Sequence, residues 1–194
     1  LPFQSLVGGL IYATKTRFEV SYSVSDAARF MSAWSKAHYK AALRILTYLY
    51  QTRERELVIR SNDNDNVSVF CDANYGDERG GDDDSDNDKW KSQGGYLMFI
   101  GDSLVSWRSR RHKTRSLSSM ESEYMEASEA AKEIIWFREV LSELGYDMNV
   151  PSTMYEDNQS CIAFSSNNTS HDRTKHIDIR AYWLRDAVRG GHIK

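Results

Sequence analysis

Disulfide chemistry has almost nothing to work with in this chain: Cys71 and Cys161 are its only cysteines and form no CxxC pair. That scarcity points to a reduced, intracellular compartment. No run of about 18 apolar residues and no signal-peptide pattern is present, which argues against membrane insertion and secretion. The sequon at Asn167 therefore carries no weight. A P-loop, a dinucleotide glycine motif and a G-x-S-x-G elbow are all missing, and with them the chemistries they serve. Cys161, His171 and His176 lie near one another but match no closed Cys/His spacing, so helix-surface histidines are the plainer reading than zinc. Strong net charge is lacking too: 25 Lys+Arg stand against 28 Asp+Glu, a formal −3.

That near-neutral average hides a division along the chain. Acid gathers in "GDDDSDND" (81–88), and base in "WRSRRHKTR" (107–115). A basic block beside a carboxylate site suits an enzyme acting on a polyanion, although a solvated connector explains the same run. With 40% hydrophobic and 12% aromatic residues the chain can build a core. Its 194 residues allow one ordinary domain plus a smaller appendage.

Residues 1–61 read as helical, a packing or connecting segment. Ser35 is placed to cap a helix whose Ala42, Ile45, Leu46 and Leu49 share one face. "DAARFM" (26–31) suggests another short helix, and His38 has no evident partner. From Val67 the period changes to two, and Val67, Val69 and Cys71 alternate into a strand ending at Asp72. "GGYLMFIGDSLVSWRS" (94–109) reads as two strands joined at Gly101-Asp102. A helix of about six turns follows, its spacing carried by apolar Tyr124, Ala127, Ala131, Ile134, Leu141 and Leu144, with Gly145 at its end. Then come a short strand (152–157), a short helix, and a final helix over 175–191 with Ile177, Ala181, Leu184 and Val188 inward. A new strand begins at "HIK". The order β, β, β, α, β, α, α predicts an α/β class, a mixed sheet flanked by helices, over residues 62–194.

Two aspartates end strands. Asp72 could cap a turn or hold a metal. Asp157 could cap the following helix, the commoner role for an isolated aspartate before "NQSCIAF". A third carboxylate should come from the long helix, where Glu121 and Glu123 compete. Ser118 and Glu121 form an S-x-x-E capping box, and the row Met125, Ser128, Lys132 above Glu121 is largely polar. The row above Glu123 is Ala127, Ala130, Ile134, small and apolar, so Glu123 faces the sheet. We therefore take Glu123 as the site residue and Glu121 as the cap. Three convergent carboxylates suit Mg²⁺ or Mn²⁺, two such ions serving phosphodiester cleavage.

The segments "SLVGGLIYATKTR", "HYKAALRILTYL", "CDANYGD", "LVSWRSRRHKTRSLSSMESEYMEASEAAKEIIW", "YEDNQSCIAF" and "RTKHIDIR", in this order, resemble the ribonuclease H region of copia-type LTR retrotransposon polyproteins, preceded by the tail of the reverse transcriptase. The resemblance implies an RNase H-like fold, endonucleolytic hydrolysis of the RNA strand of RNA–DNA hybrids and two divalent ions. It places the acidic positions on Asp72, Glu123 and Asp157. It also makes residues 1–61 a segment derived from the reverse transcriptase of the same polyprotein. The setting implied is a cytoplasmic retroelement particle and the nucleus, without a membrane.

Arg108, Arg110, Arg111, Lys113 and Arg115 are then candidates to grip backbone phosphates, and Asn158 and Gln159 to reach 2′-hydroxyls. The chain departs from the family at Asn74 and Tyr75, where aspartate and tryptophan are usual, at Phe18, usually proline, and in "MESEY" for "TEAEY". The family's fourth carboxylate belongs to a last strand and final helix expected beyond Lys194; Asp178 is a candidate substitute, but it lies on a helix whose usual role is packing. Two other readings are carried: an inactive or domesticated nucleic-acid-binding domain, and a structural fragment of a larger reverse transcriptase.

Overall fold

The computed structural model describes residues 2–60, 66–76, 90–166 and 178–194, the last with side chains from 183 onward. The acidic loop, His171, His176, Ile177 and the side chains of Asp178 and Ala181 lie outside the described residues. The chain divides into two compact units, Leu1–Val58 and Ile59–Lys194.

The first unit is helical. Helix α1 (Phe3–Ala13) buries Phe3, Leu6, Val7 and Leu10, the spacing of one helical stripe. A 3₁₀ turn leads into α2 (Ser21–Ala28), which starts earlier and stops sooner than the 26–31 expectation. In α3 (Lys36–Gln51), Ser35 is the N-cap as expected. His38 does have partners: its Nδ1 accepts the Ser35 N–H at 3.1 Å, and its ring stacks on Phe30 at 3.8 Å. Ala42 is buried and Ile45 and Leu49 pack against it, but Leu46 is 43% exposed. At 100° per residue Leu46 turns away from the stripe that Ile45 and Leu49 define on the other side of Ala42.

The second unit is built on a four-stranded mixed sheet in the order β3-β2-β1-β4, flanked by helices. Strand β1 (Val67–Asn74) runs antiparallel to β2 (Gln93–Ile100), and β2 antiparallel to β3 (Ser103–Arg111). Strand β4 (Thr153–Tyr155) runs parallel to β1. The expected hairpin is present: Ile100 pairs with Ser103 across a two-residue loop whose Gly101 has φ +55°, a conformation glycine adopts without strain. Val67, Val69, Cys71 and Ala73 alternate inward and meet Tyr96, Met98 and helix α4 (Ser119–Glu143).

Helix α4 is the central element, packed by β1, β2, α5 (Gln159–Ser166) and α6 (Asp178–Arg189). Every residue from Glu121 to Ser128 is buried. Of the row above Glu121, Met125 and Ser128 are therefore buried, and Lys132 is exposed. Its end is a Schellman motif: Tyr146 N–H donates to Leu141 O and Gly145 N–H to Ser142 O, with Gly145 at φ +91°. Leu144 is the C-cap and 69% exposed. In α6, Leu184 and Ala187 are buried, and Arg185 Nε donates to Phe164 O at 2.9 Å, tying α6 to α5. Ile193 bridges Ser152 in parallel, the strand-like pairing expected of "HIK". Among the described residues no helix is long and apolar enough to cross a membrane.

Candidate metal centre

The β1–β4 ladder ends at Phe70↔Tyr155. Two residues past that rung on one strand is Asp72; two residues past it on the other is Asp157. Alternation places Asp72 on the face of Phe70, whose ring stacks on Tyr155 at 4.4 Å, and Asp157 follows in the loop after β4. Asp72 does not end its strand, as the sequence suggested, because pairing with β2 continues from Asp72↔Gly95 to Asn74↔Gln93.

Helix α4 supplies the third group. Glu123 is 6% exposed, and its Oε2 accepts the buried Ala73 N–H at 2.7 Å. One ligand oxygen from each of Asp72, Glu123 and Asp157 lies within 4.8 Å of the others, with both aspartates exposed and the glutamate buried. Burial, then the negative charge of Glu156, pushes the Glu123 carboxyl up to about 8; the Ala73 N–H opposes the shift, while Asp72 and Asp157 add to it. The charges acting on Glu123 are thus all negative.

The competing roles resolve into different residues. Asn158, not Asp157, caps α5: its Oδ1 accepts the Cys161 N–H at 3.0 Å. Glu121 caps α4, receiving the Leu117 N–H at 2.6 Å on Oε2 while its own N–H donates to Ser118 Oγ at 3.1 Å. The return bond goes to the residue before the N-cap rather than to Ser118 itself, since the carboxylate reaches one residue further back. Glu121 is also buried.

Two features escaped the sequence reading. Glu156, adjacent to Asp157, accepts the Asn158 N–H at 3.0 Å and lies 3.5 Å from Cys71 Sγ. Its carboxyl is raised by burial, with Asp157 and Asp72 adding to the shift. Burial likewise pushes the Cys71 and Cys161 thiols up, so both remain neutral and structural. The second feature is Glu126, 0% exposed, whose oxygens receive Arg108 Nη2 at 3.1 and 3.2 Å and His112 Nε2 at 3.1 Å. The adjacent glycines Gly94-Gly95 inside a strand were its signal, because glycine there marks a close approach.

The basic run is accordingly not uniform. Arg108 is engaged by Glu126 and, through Nη1, by Glu129 at 3.1 Å. Burial would raise the Glu129 carboxyl, but hydrogen bonds from Lys132 and Arg108 outweigh it and hold it down at about 2. Arg110, Lys113 and Arg115 are exposed and Arg111 half-buried. Arg110, Arg111 and Lys113 line a cavity of about 140 Å³ with Arg108, His112 and Glu129. Gln159 is exposed at the start of α5.

No family model matches the chain. It is 36% identical over its whole length to the retrovirus-related Pol polyprotein from transposon TNT 1-94 of Nicotiana tabacum. Over 99% of its length it is 29% identical to the Pol polyprotein from transposon RE1 of Arabidopsis thaliana. The chain spans 14% and 13% of those proteins, about a seventh of their length. Among solved structures it is similar to the N-terminal RNase H domain of a Mycobacterium tuberculosis protein, solved as a fusion with maltose-binding protein. That likeness has 11% identity and a TM-score of 0.40, and covers 66% of this chain and 78% of that one. Aligned from end to end, the chain is similar to a segment of retrovirus-related Pol polyproteins from transposons.

Proposed function

We propose that residues 59–194 act as a ribonuclease H, cutting the RNA strand of RNA–DNA hybrids with Mg²⁺ or Mn²⁺ held by Asp72, Glu123 and Asp157. The observation that carries this reading is the convergence of those three carboxylates within 4.8 Å, from β1, the loop after its neighbour β4, and helix α4. The donor set fits such ions: it is all oxygen, it has two exposed members, and the charges acting on its buried member are negative. Two ions bound there supply an activated water and stabilise the leaving oxygen. The protein's own part is to present ionised oxygens, and for this Glu123 must release the proton that its surroundings favour.

Arg110 and Lys113, exposed at the end of β3 and just past it, hold backbone phosphates with Arg111 and Arg115. Gln159 reaches toward the 2′-hydroxyls that distinguish RNA from DNA. Asn158 contributes there only through its amide nitrogen, because its oxygen caps α5. The helical unit, residues 1–58, is read as the adjoining tail of the reverse transcriptase in the same polyprotein.

The test is cleavage of a hybrid carrying a labelled RNA strand, in Mg²⁺ and in Mn²⁺, by wild type and Asp157→Asn. Metal-dependent RNA cleavage abolished in the variant is the expected result. If wild type cleaves no faster than Asp157→Asn in either metal, the nuclease reading fails and a nucleic-acid-binding role replaces it.

A further inference from the structure

The lower face of α4 is smooth where it meets the sheet. Ala127, Ala130 and Ala131 pack over Val69, Cys71 and Met98, with Ile134 the first large side chain along that row. Small side chains make a helix easy to slide, at about 1.5 Å per residue of register, yet the oxygen of Glu123 must stand within 4.8 Å of two aspartates. Packing of alanines alone does not specify that position. Directional contacts are needed, and the two nearest the carboxylate site lie one helical turn apart, with Glu129–Arg108 and Glu133–Ser106 further along the helix. Glu123 accepts the N–H of Ala73 on β1. Glu126 lies over Gly94, the cross-strand partner of Ala73 on β2, and binds Arg108 and His112 on and just past β3.

The fit at Gly94 is close. A methyl group there would meet Glu126 Oε2 at 2.2 Å and His112 Nε2 at 2.6 Å. The carboxylate can only accept, so His112 Nε2 must be the donor. Net stability is a poor account of such a cluster, because well-packed apolar residues often replace a buried ion pair without loss. What an ion pair adds over alanine packing is direction.

We infer that Glu126, pinned by Arg108 and His112 over Gly94, is a positioning residue that sets the register of α4 and thereby the place of Glu123 at the carboxylate site. The inference rests on reading Glu123 as a site carboxylate. It assigns the basic residue Arg108 to that register, separating it from the exposed cations beyond it.

Two readouts on the full chain test it: hydrogen exchange of the Ala73 amide relative to the other β1 amides, and Mn²⁺ affinity by calorimetric titration. In Glu126→Gln the Ala73 amide should exchange about tenfold faster while its β1 neighbours keep their ratios, and Mn²⁺ should bind about tenfold more weakly. Leu184→Ala, a core change on α6, should move all β1 amides together and leave Mn²⁺ affinity within about twofold. Should Glu126→Gln not fold, Arg108→Lys and His112→Gln each remove one partner and are read in the same way. An Ala73 amide that keeps its ratio to its neighbours in these variants overturns the inference. If wild type binds no Mn²⁺, the metal reading fails separately, and the Ala73 ratio still decides the register.

Discussion

Without metal, the carboxylate site should make the second unit less stable as the pH rises. Glu123 titrates at about 8 in the folded protein against an ordinary 4.5, chiefly because burial and the charge of Glu156 disfavour its ionised form. In the unfolded chain it ionises near the ordinary value. Between these two points the folded state therefore holds one proton more than the unfolded state. With the folded value raised, the contribution to stability is complete below about pH 4.5 and is lost as the pH climbs through 8. The slope is about −1.4 kcal/mol per pH unit, and the total across the window is on the order of 5 kcal/mol. Such a loss is a large fraction of the stability of an ordinary domain. The assay is amide-hydrogen exchange of the β1 and β2 strands in EDTA from pH 6 to 9, corrected for intrinsic rates, which isolates this unit from the helical one. Glu123→Gln removes the titrating group but keeps an acceptor for the Ala73 N–H, so it should be more stable than wild type at pH 8 and have a shallower slope. A residual slope from the raised Glu156 carboxyl is expected in both. Equal slopes in wild type and Glu123→Gln would refute the reasoning.

Gly94→Ala should destabilise the second unit by about 3–5 kcal/mol, since the added methyl forces Glu126 from His112 and leaves a buried charge poorly partnered; the same exchange experiment reads it. Arg110→Ala and Lys113→Ala should each weaken hybrid binding and reduce the magnitude of its log–log salt slope by about one, because each exposed cation releases counterions from one phosphate. Arg108→Ala should instead lower stability, for its guanidinium is spent on Glu126 and Glu129.

Local patterning carried most of the fold into view. The period-two run from Val67, the glycine loop at 101 and the long amphipathic helix each depend on near neighbours in sequence, and all three elements are present. What local patterning misjudged was environment. Leu46 and Leu144 are apolar residues within helical spacing, yet both face outward because the buried stripe is set by what packs on the helix. Glu121 shows the converse, a charged cap that neighbouring elements bury.

The same distinction explains the site. Asp72 and Asp157 could be brought together on paper because parallel neighbouring strands put equal offsets from one rung side by side, and a rung at Phe70↔Tyr155 is an ordinary pairing. The capping duty of Asn158 was hidden because three consecutive polar residues, Asp157, Asn158 and Gln159, all suit a helix start, and the backbone angle of entry decides among them. Glu126 was hidden more deeply. On a helical wheel it is one more acid among Glu121, Glu123 and Glu129, and its burial depends on a glycine in β2 and two cations at β3, none close to it in sequence. A fully buried carboxylate requires partners. Two successive glycines in an otherwise apolar strand, with cations on the next strand and an acid on the covering helix, are the pattern from which such a contact can be read.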